Sequence, residues 1–484
     1  MHTYQVLIIG SGFGGQCAAV NLQKAGIDDF RLLERRDFFG GTWCQNTYPG
    51  AAVDVPSPLY SLSFASWPWT QMFAEQAELH RYTQHVVDRY QLRDKVELQA
   101  DVERVEWDDS ARQWQVFTRG KGTFRAQFLI NASGPLSQPM IPAFEGQQRF
   151  AGTTFHSNAW DHRYDYRNKR VAIVGSGASA AQIIPSIAPQ VAHLHVFQRT
   201  PHWVLPRADR HFGRFQRWLL GLKPAYKLLR WLIYWQFETR VIAFKYSKTA
   251  LKLVQHQALN HLKRQVPDPV LRQKLTPDYT IGCKRVILSS TLYPALTRAN
   301  VTLHGRDQGI AALDERGIRT VDGQHIDLDL IVWATGYDAT DGVINYPVLG
   351  KHGTRLSDVW ALYPRAYLGT SLPDFPNLFI VTGPNTGIGH TSALFIIESQ
   401  MNYILDCIRT LKAQGLRSIE VRKEAESAYT EMIHQQMQRT VWKSGGCHSW
   451  YQSKSGHVIA MFPGFSFSYH QLTRRLKPGD HILS

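Results

Sequence analysis

Two stretches of the chain share one pattern, in which a short apolar run leads into a cluster of small residues and then into apolar positions at helical spacing. The first runs Tyr-Gln-Val-Leu-Ile-Ile over residues 4–9, then Gly10-Ser11-Gly12-Phe13-Gly14-Gly15, then a helical stretch through Lys24. The second runs Arg-Val-Ala-Ile-Val over 170–174, then Gly175-Ser176-Gly177-Ala178-Ser179-Ala180, then a helix through about Ile187. They lie about 165 residues apart, and each opens a strand–turn–helix–strand unit. Apolar runs at 128–134 and 328–336 predict two connecting strands, the second ending in the tight turn Ala334-Thr335-Gly336. The pattern predicts an α/β chain with two Rossmann-like dinucleotide-binding domains. The first domain is expected over 1–145 and again over 330–484, interrupted by the second over 146–329.

A helical insertion is expected at about 207–280. Leu222, Tyr226, Leu229 and Ile233 recur at helical spacing, Lys223, Lys227 and Arg230 line another face, and Trp218, Trp231 and Trp235 add aromatics. Two readings stand side by side: an insertion packing over an active-site cleft, and a basic amphipathic face resting on a membrane surface. No apolar run reaches 18 residues, because Arg230, Glu238 and Arg240 break the best candidate, 228–244. No leader is expected before the first strand, and a soluble, cytoplasmic protein is expected.

The two glycine turns differ in how the next strand of each unit ends. In the first unit, the strand at 30–33 ends in Glu34, whose carboxylate can accept ribose hydroxyls. In the second, the strand at 194–197 ends in Gln198-Arg199-Thr200, and a guanidinium with a hydroxyl suits a 2′-phosphate. The first site is therefore expected to bind FAD and the second NADPH, with each helix N-terminus facing a pyrophosphate. In each turn the first glycine permits the bend and the second lets backbone approach the phosphates.

Of 484 residues 44% are hydrophobic and 19% charged, an ordinary globular balance. The net charge of +15 is compatible with nucleic acid, anionic lipid or phosphorylated cofactors, and no nucleic-acid module accompanies it. Five cysteines (Cys17, Cys44, Cys283, Cys407 and Cys447) show no pairing rhythm and no CxxC unit, so neither a disulfide framework nor a metal site is expected. Cys44 has no nearby partner, which disfavours a dithiol–disulfide reductase.

Two further motifs narrow the class. Gly40-Gly41-Thr42-Trp43 runs on to Tyr48-Pro49-Gly50 and Asp54, a glycine and aromatic loop suited to pass close to a flavin ring. Phe150, Gly152, His156, Trp160 and Asp161 form an FxGxxxHxxxW segment closed by Asp, sitting between the two glycine turns. With these residues the chain resembles the class I Baeyer–Villiger monooxygenases of the flavin-containing monooxygenase superfamily. Both family signatures are complete, and Ala180 replaces the last glycine of the second turn as a permitted variant. The likeness extends to Gly282-Cys283-Lys284-Arg285, to Tyr367-Leu-Gly-Thr, to 383–387 and to Ser449-Trp450-Tyr451.

The resemblance implies conversion of ketones to esters or lactones with NADPH and O2, through a flavin C4a-peroxide. It implies that Arg285 is the active-site arginine, that Asp54 holds it, and that Lys284, Arg199 and Thr200 grip the NADPH 2′-phosphate. His156 would act in coupling the domains. The residues expected at FAD are then Gly10, Gly12, Phe13, Gly14, Gly15, Glu34, Thr42, Trp43, Asp54, Tyr60, Val102, Asn385 and Thr386. Those expected at NADP are Gly175, Ser176, Gly177, Ala178, Ser179, Ala180, Arg199, Thr200 and Lys284. The expected partners are a small ketone and O2, with no nucleic acid, in a monomer or homodimer; peripheral membrane contact through 207–280 stays open, as does the ketone itself. Two alternatives remain. A flavin monooxygenase oxygenating sulfides or amines would have less need of Arg285, and a non-oxygenating redox sensor or membrane-surface module would turn over no substrate.

Overall fold

The computed structural model of the chain describes residues 2–339 and 343–484. The strand Thr3–Ile9 is apolar from Val6 to Ile9, where both its faces are covered, and Thr3 at its start is exposed. It pairs in parallel with Phe30–Glu34 on one side and with Gly122–Asn131 on the other. Helix Phe13–Lys24 crosses between the first two strands and buries Cys17 through Val20. Gly122–Asn131 also closes an antiparallel meander with Gln113–Arg119 and Asp101–Asp108. Late in the chain, Val348–Leu349 and Leu378–Ile380 join this same sheet, against Asp101–Asp108 and Gly122–Asn131. The long helix Ala393–Gln414 packs over it beside Phe13–Lys24.

The second sheet has the order Val301–His304, His193–Phe197, Arg170–Val174, Leu330–Trp333, Thr153–His156, all parallel. Its helix Ala178–Ile187 comes directly after the second glycine turn. Here the structure corrects the expected boundary. Leu330–Trp333 lies in the second sheet, between Arg170–Val174 and Thr153–His156, so the chain returns to the first domain after 333 and not at 330. The two crossings between domains run side by side: Met140 N donates to Gly336 O (3.0 Å) and Asp338 N to Gln138 O (3.0 Å).

The insertion is helical, with Arg214–Gly221, Lys223–Glu238, Lys248–Gln265 and Pro269–Leu275. Tyr226 and Ile233 are buried as their spacing predicts, and Leu229 is half-buried, whereas Leu222 falls between two helices and is exposed. Arg230 turns inward, its Nη1 donating to the carbonyls of Pro58, Leu59 and Ser61 at 2.7–3.0 Å. No helix among the described residues is long and apolar enough to cross a membrane.

A second correction concerns the cysteines. Cys283 and Cys447 form a disulfide across 164 residues, with Cα atoms 6.1 Å apart. Nothing in local spacing announces it. Thr280 N donates to Gly445 O, which lays the two loops together; Cys283 is buried with Trp203, Tyr279, Trp442 and Tyr451, and half-buried Cys447 packs against them. Cys17, Cys44 and Cys407 are free. Alkylation of unfolded, unreduced protein should therefore label three thiols, and five after reduction, as read by intact mass. Closing so long a loop restricts the unfolded chain, so reduction should lower stability by about 2–5 kcal/mol. Five labels without reduction would mean the bond is not formed.

Candidate active site

The first glycine turn is built too tightly for any side chain. Gly10 has φ +101°, and a Cβ there would stand 2.5 Å from Ala132 O. A Cβ on Gly15 would meet Gly10 O at 2.0 Å, which is how the helix start sits down on the strand. Gly41, at φ +66°, lies against Gly12, where a Cβ would come within 2.6 Å of the Gly12 Cα. Two glycine loops thus close one cavity. Its wall includes Gly10, Gly12, Phe13, Gly14, Glu34, Thr42, Trp43, Tyr60 and Val102, nine of the residues expected at FAD. Gly15 stands behind this wall.

Glu34 is buried, accepting from Ser11 N (3.0 Å) and Ser11 Oγ (2.6 Å) through one oxygen and from Arg36 N (3.1 Å) through the other. Arg36 lines the same cavity with its Nε buried and unpartnered, and burial lowers its pKa. A donor held without an acceptor fits an acceptor-rich adenosine diphosphate moiety. The N-terminus of Ala393–Gln414, capped by Ser392 Oγ on Leu394 N (3.2 Å), also opens on the cavity and offers it a positive dipole end. Neither Arg36 nor this helix was legible from the glycine motif.

The second glycine turn repeats the geometry. Gly175 has φ +121°, and a Cβ would stand 2.2 Å from Ala334 O, whereas a Cβ on Gly177 would project into open space. That opening lies at the N-terminus of Ala178–Ile187. Ser176 Oγ donates to Thr200 O (2.9 Å), and Ala180 is fully buried under the helix. Exposed Arg199 and half-buried Lys284 are brought close enough that Arg199 contributes, after burial, to lowering the Lys284 pKa. Among the described residues neither forms an ion pair. Two unpaired cations beside a helix N-terminus fit an anion. His202, half-buried with its Nδ1 shut off from solvent and unpartnered, is held down to about 4 by burial and by the Lys284 charge.

Between the two clefts Arg285 donates Nε to Asp54 Oδ2 and Nη2 to Asp54 Oδ1, both at 2.6 Å. The carboxylate raises the arginine pKa still further, so the guanidinium is a permanent charge. It is surrounded by protein, yet 45% of its side chain remains open to the cleft. Asp54 reaches it from the loop after Tyr48, which is seated on the second domain: Tyr48 OH donates to Gln182 Oε1 (3.0 Å), and Gln182 Nε2 to Ala52 O (2.9 Å). Gly50, at φ +80°, passes so close that a Cβ would meet Ser186 Oγ at 2.2 Å. Trp43 Nε1 donates to Tyr60 OH (3.1 Å) on the near wall. Buried Tyr451, whose pKa burial pushes up to about 12, completes the surroundings of the pair and keeps its proton at neutral pH.

Comparison with known proteins decides what this arrangement belongs to. A family model described as pyridine nucleotide-disulphide oxidoreductase matches residues 7–212. A Baeyer–Villiger monooxygenase of Pseudomonas aeruginosa is 41% identical over 99% of this chain and 91% of its own length. One of Streptomyces coelicolor is 42% identical over 99% and 92%. The chain belongs to the Baeyer–Villiger monooxygenases. Among solved structures, closed cyclohexanone monooxygenase superposes with a TM-score of 0.90 at 27% identity, covering 100% of this chain and 99% of the other. The OTEMO complex with FAD and NADP gives 0.91 at 27% identity and 99% coverage of both.

In this Baeyer–Villiger monooxygenase the fingerprint lies at the domain crossing rather than at the Arg285 pair. His156 ends Thr153–His156, accepts at Nδ1 from Asn158 N (3.2 Å) and therefore donates Nε2 to Gly336 O (3.2 Å). Burial lowers its pKa, and its ring meets Tyr337 edge-on at 5.6 Å. Trp160 is buried against Phe155 and Tyr166, Asp161 binds its neighbour Arg163 at 2.9 Å, and Phe150 is buried beside Gly152. Asn385 and Thr386 do not line the FAD-side cavity. Asn385 Nδ2 donates to Val458 O and Met461 O (both 3.0 Å), fastening the late loop to the C-terminal segment, while Thr386 Oγ1 donates to Gly383 O (2.6 Å) within the loop. Free Cys44 has no cysteine partner beside the cavity among the described residues.

Two measurements probe this geometry. Gly10→Val should yield protein that does not retain yellow flavin, read by the absorbance-to-protein ratio, because neither φ nor space admits the side chain. His202 has a folded pKa near 4 against an ordinary 6.5, so its stabilising contribution is complete above 6.5 and lost as pH falls towards 4. It is worth on the order of 3 kcal/mol. A Tm series on ligand-free protein from about pH 7.5 to 4.5 should fall more steeply than that of His202→Gln; parallel curves would mean that His202 titrates normally.

Proposed function

We propose that this chain is an FAD-containing, NADPH-dependent monooxygenase that converts a ketone, O2, NADPH and a proton into an ester or lactone, NADP+ and water. The observation that carries the reading is the bidentate Asp54–Arg285 pair, fixed between two dinucleotide clefts and open to solvent on one side. The names of the relatives support it, as do solved neighbours holding FAD and NADP.

Bound FAD supplies the redox chemistry, taking hydride from NADPH and activating O2. The chain's own residues do the rest. Arg285 places a charge that cannot be lost at neutral pH where negative charge develops on the adding oxygen and the ketone carbonyl oxygen. Asp54 is a positioning residue; with both its oxygens engaged it fixes the plane of the guanidinium. Tyr451 keeps a neutral hydroxyl beside the pair. Arg199, Thr200 and Lys284 select the 2′-phosphate by charge, while the opening at Gly177 lets backbone approach the pyrophosphate. Trp43 and Tyr60 wall the flavin side and exclude water. His156 ties the second sheet to the crossing at Gly336 and acts in coupling the domains.

In this proposal the protein works in the cytoplasm, where NADPH is made, as a monomer or homodimer, with the helical insertion as its peripheral contact with membrane. In that compartment dithiol reductants act on Cys283–Cys447.

Product analysis by mass spectrometry tests the activity. Yellow protein with NADPH, 18O2 and a panel of ketones and sulfides should give esters or lactones carrying one labelled oxygen; sulfoxides alone would turn the reading towards a heteroatom oxygenase. Arg285→Ala should still bleach with NADPH but form ester at least about a hundredfold more slowly. Arg199→Ala combined with Lys284→Ala should raise KM for NADPH and leave KM for NADH unchanged.

A further inference from the structure

We propose that the exposed face of the helical insertion docks on an anionic phospholipid bilayer, which gives the enzyme's peripheral membrane contact its chemistry and its residues. Helix Lys223–Glu238 has two apolar faces where a surface helix has one. Tyr226, Ile233 and Phe237 are buried, and Tyr226 OH lies 2.7 Å from Ser61 Oγ. On the other side Leu228, Trp231, Leu232 and Trp235 form an i, i+3, i+4, i+7 stripe and are 58%, 57%, 52% and 42% exposed. The preceding helix adds Phe215 and Trp218, stacked at 5.7 Å and 71% and 61% exposed. Of nineteen large apolar side chains exposed among the described residues, twelve lie between 207 and 280. Single exposed apolar residues are ordinary; a cluster of this kind marks an interaction surface.

Charge identifies the occupant. Between 210 and 253 there are ten Lys and Arg and one carboxylate, Glu238. That carboxylate is buried, holding Ser466 Oγ at 2.7 Å and His390 Nε2 at 3.2 Å. The outward face therefore mixes tryptophan and leucine with Arg214, Arg217, Lys223 and Lys227, all exposed, and among the described residues none of the four forms an ion pair. A second copy of the chain would bring the same cations against these. Anionic headgroups neutralise them, while the apolar stripe reaches the acyl boundary and the indoles sit at the interface. With no helix able to cross a membrane among the described residues, the contact lies on the surface.

Sedimentation of the full-length holoprotein with vesicles tests this. It should bind vesicles containing about 30 mol% phosphatidylglycerol, bind pure phosphatidylcholine at least tenfold more weakly, and release as salt rises. The triple variant Trp218→Ser, Trp231→Ser, Trp235→Ser and the charge reversal Arg214→Glu, Arg217→Glu, Lys223→Glu, Lys227→Glu should each lose binding at least tenfold, with Tm and flavin content unchanged. Absence of binding by the parent protein while it still oxidises ketones would overturn the docking and leave the catalytic reading intact. Binding without oxygenation of any substrate would do the reverse. A dimer that the tryptophan variant converts to monomer, without vesicle binding by the parent, would assign the face to self-association.

Discussion

Asp54 and Arg285 belong to different domains, and their pairing at 2.6 Å through both oxygens requires those domains to be seated on one another. Drawing two charges out of water is costly, and a bidentate geometry offsets that cost only when both partners are held in place. Much of the surrounding structure does this holding. Tyr48, Gly50 and Ala52 fasten the Asp54 loop to the second-domain helix through Gln182 and Ser186. Ile287–Leu288, just beyond Arg285, pairs with Val204–Leu205 at the root of the insertion. The pair forms where the two domains are seated together, and the proposed mechanism relies on that seating to aim the Arg285 guanidinium.

The C-terminal segment supplies the third support. Gly282, at φ +89°, lies under the Phe244 ring of the insertion, and Cys283 is bonded to Cys447. Trp442 stacks on Phe244 at 6.1 Å, and Asn385 ties the late loop to Val458 and Met461. The residues next to Arg285 are thus clamped from the insertion and from the chain end together. Trp442 is buried in this clamp and Trp450 is exposed beside Tyr451, so only part of the segment from 442 to 450 faces solvent. A fold of nested insertions produces this result: segments far apart in the chain converge around Arg285.

How far the site was legible depends on how local its parts are. The glycine turns read directly, because a bend of φ +101° or +121° and a 2.5 or 2.2 Å approach to carbonyl oxygen admit glycine alone, whatever lies elsewhere. Glu34 and Arg199 read from their positions at strand ends. Arg36, His202 and the Ser392-capped helix start did not, and Tyr451 was marked only by the family likeness, without its place beside Arg285. Each is ordinary in its own segment and gains its role from a neighbour more than 20 residues away. Asn385 and Thr386 sit in a motif suggesting contact with cofactor, but their side chains are engaged by backbone carbonyls of the loop and of the C-terminal segment.

The strand Leu330–Trp333 was visible as a buried run but not assignable to a sheet, since an apolar β-strand carries no mark of which neighbours it will pair with. The same holds for Cys283 and Cys447, whose pairing depends on loops that meet only after folding. By itself the sequence determined two tight glycine turns, the acid and the arginine that end the strands following them, and an amphipathic helical insertion, because these rest on backbone sterics, local order along the chain and helical period. Tertiary structure alone decided which charge faces which, which cysteines join and which side of the insertion stays uncovered, because those are properties of distance between segments and not of order along the chain.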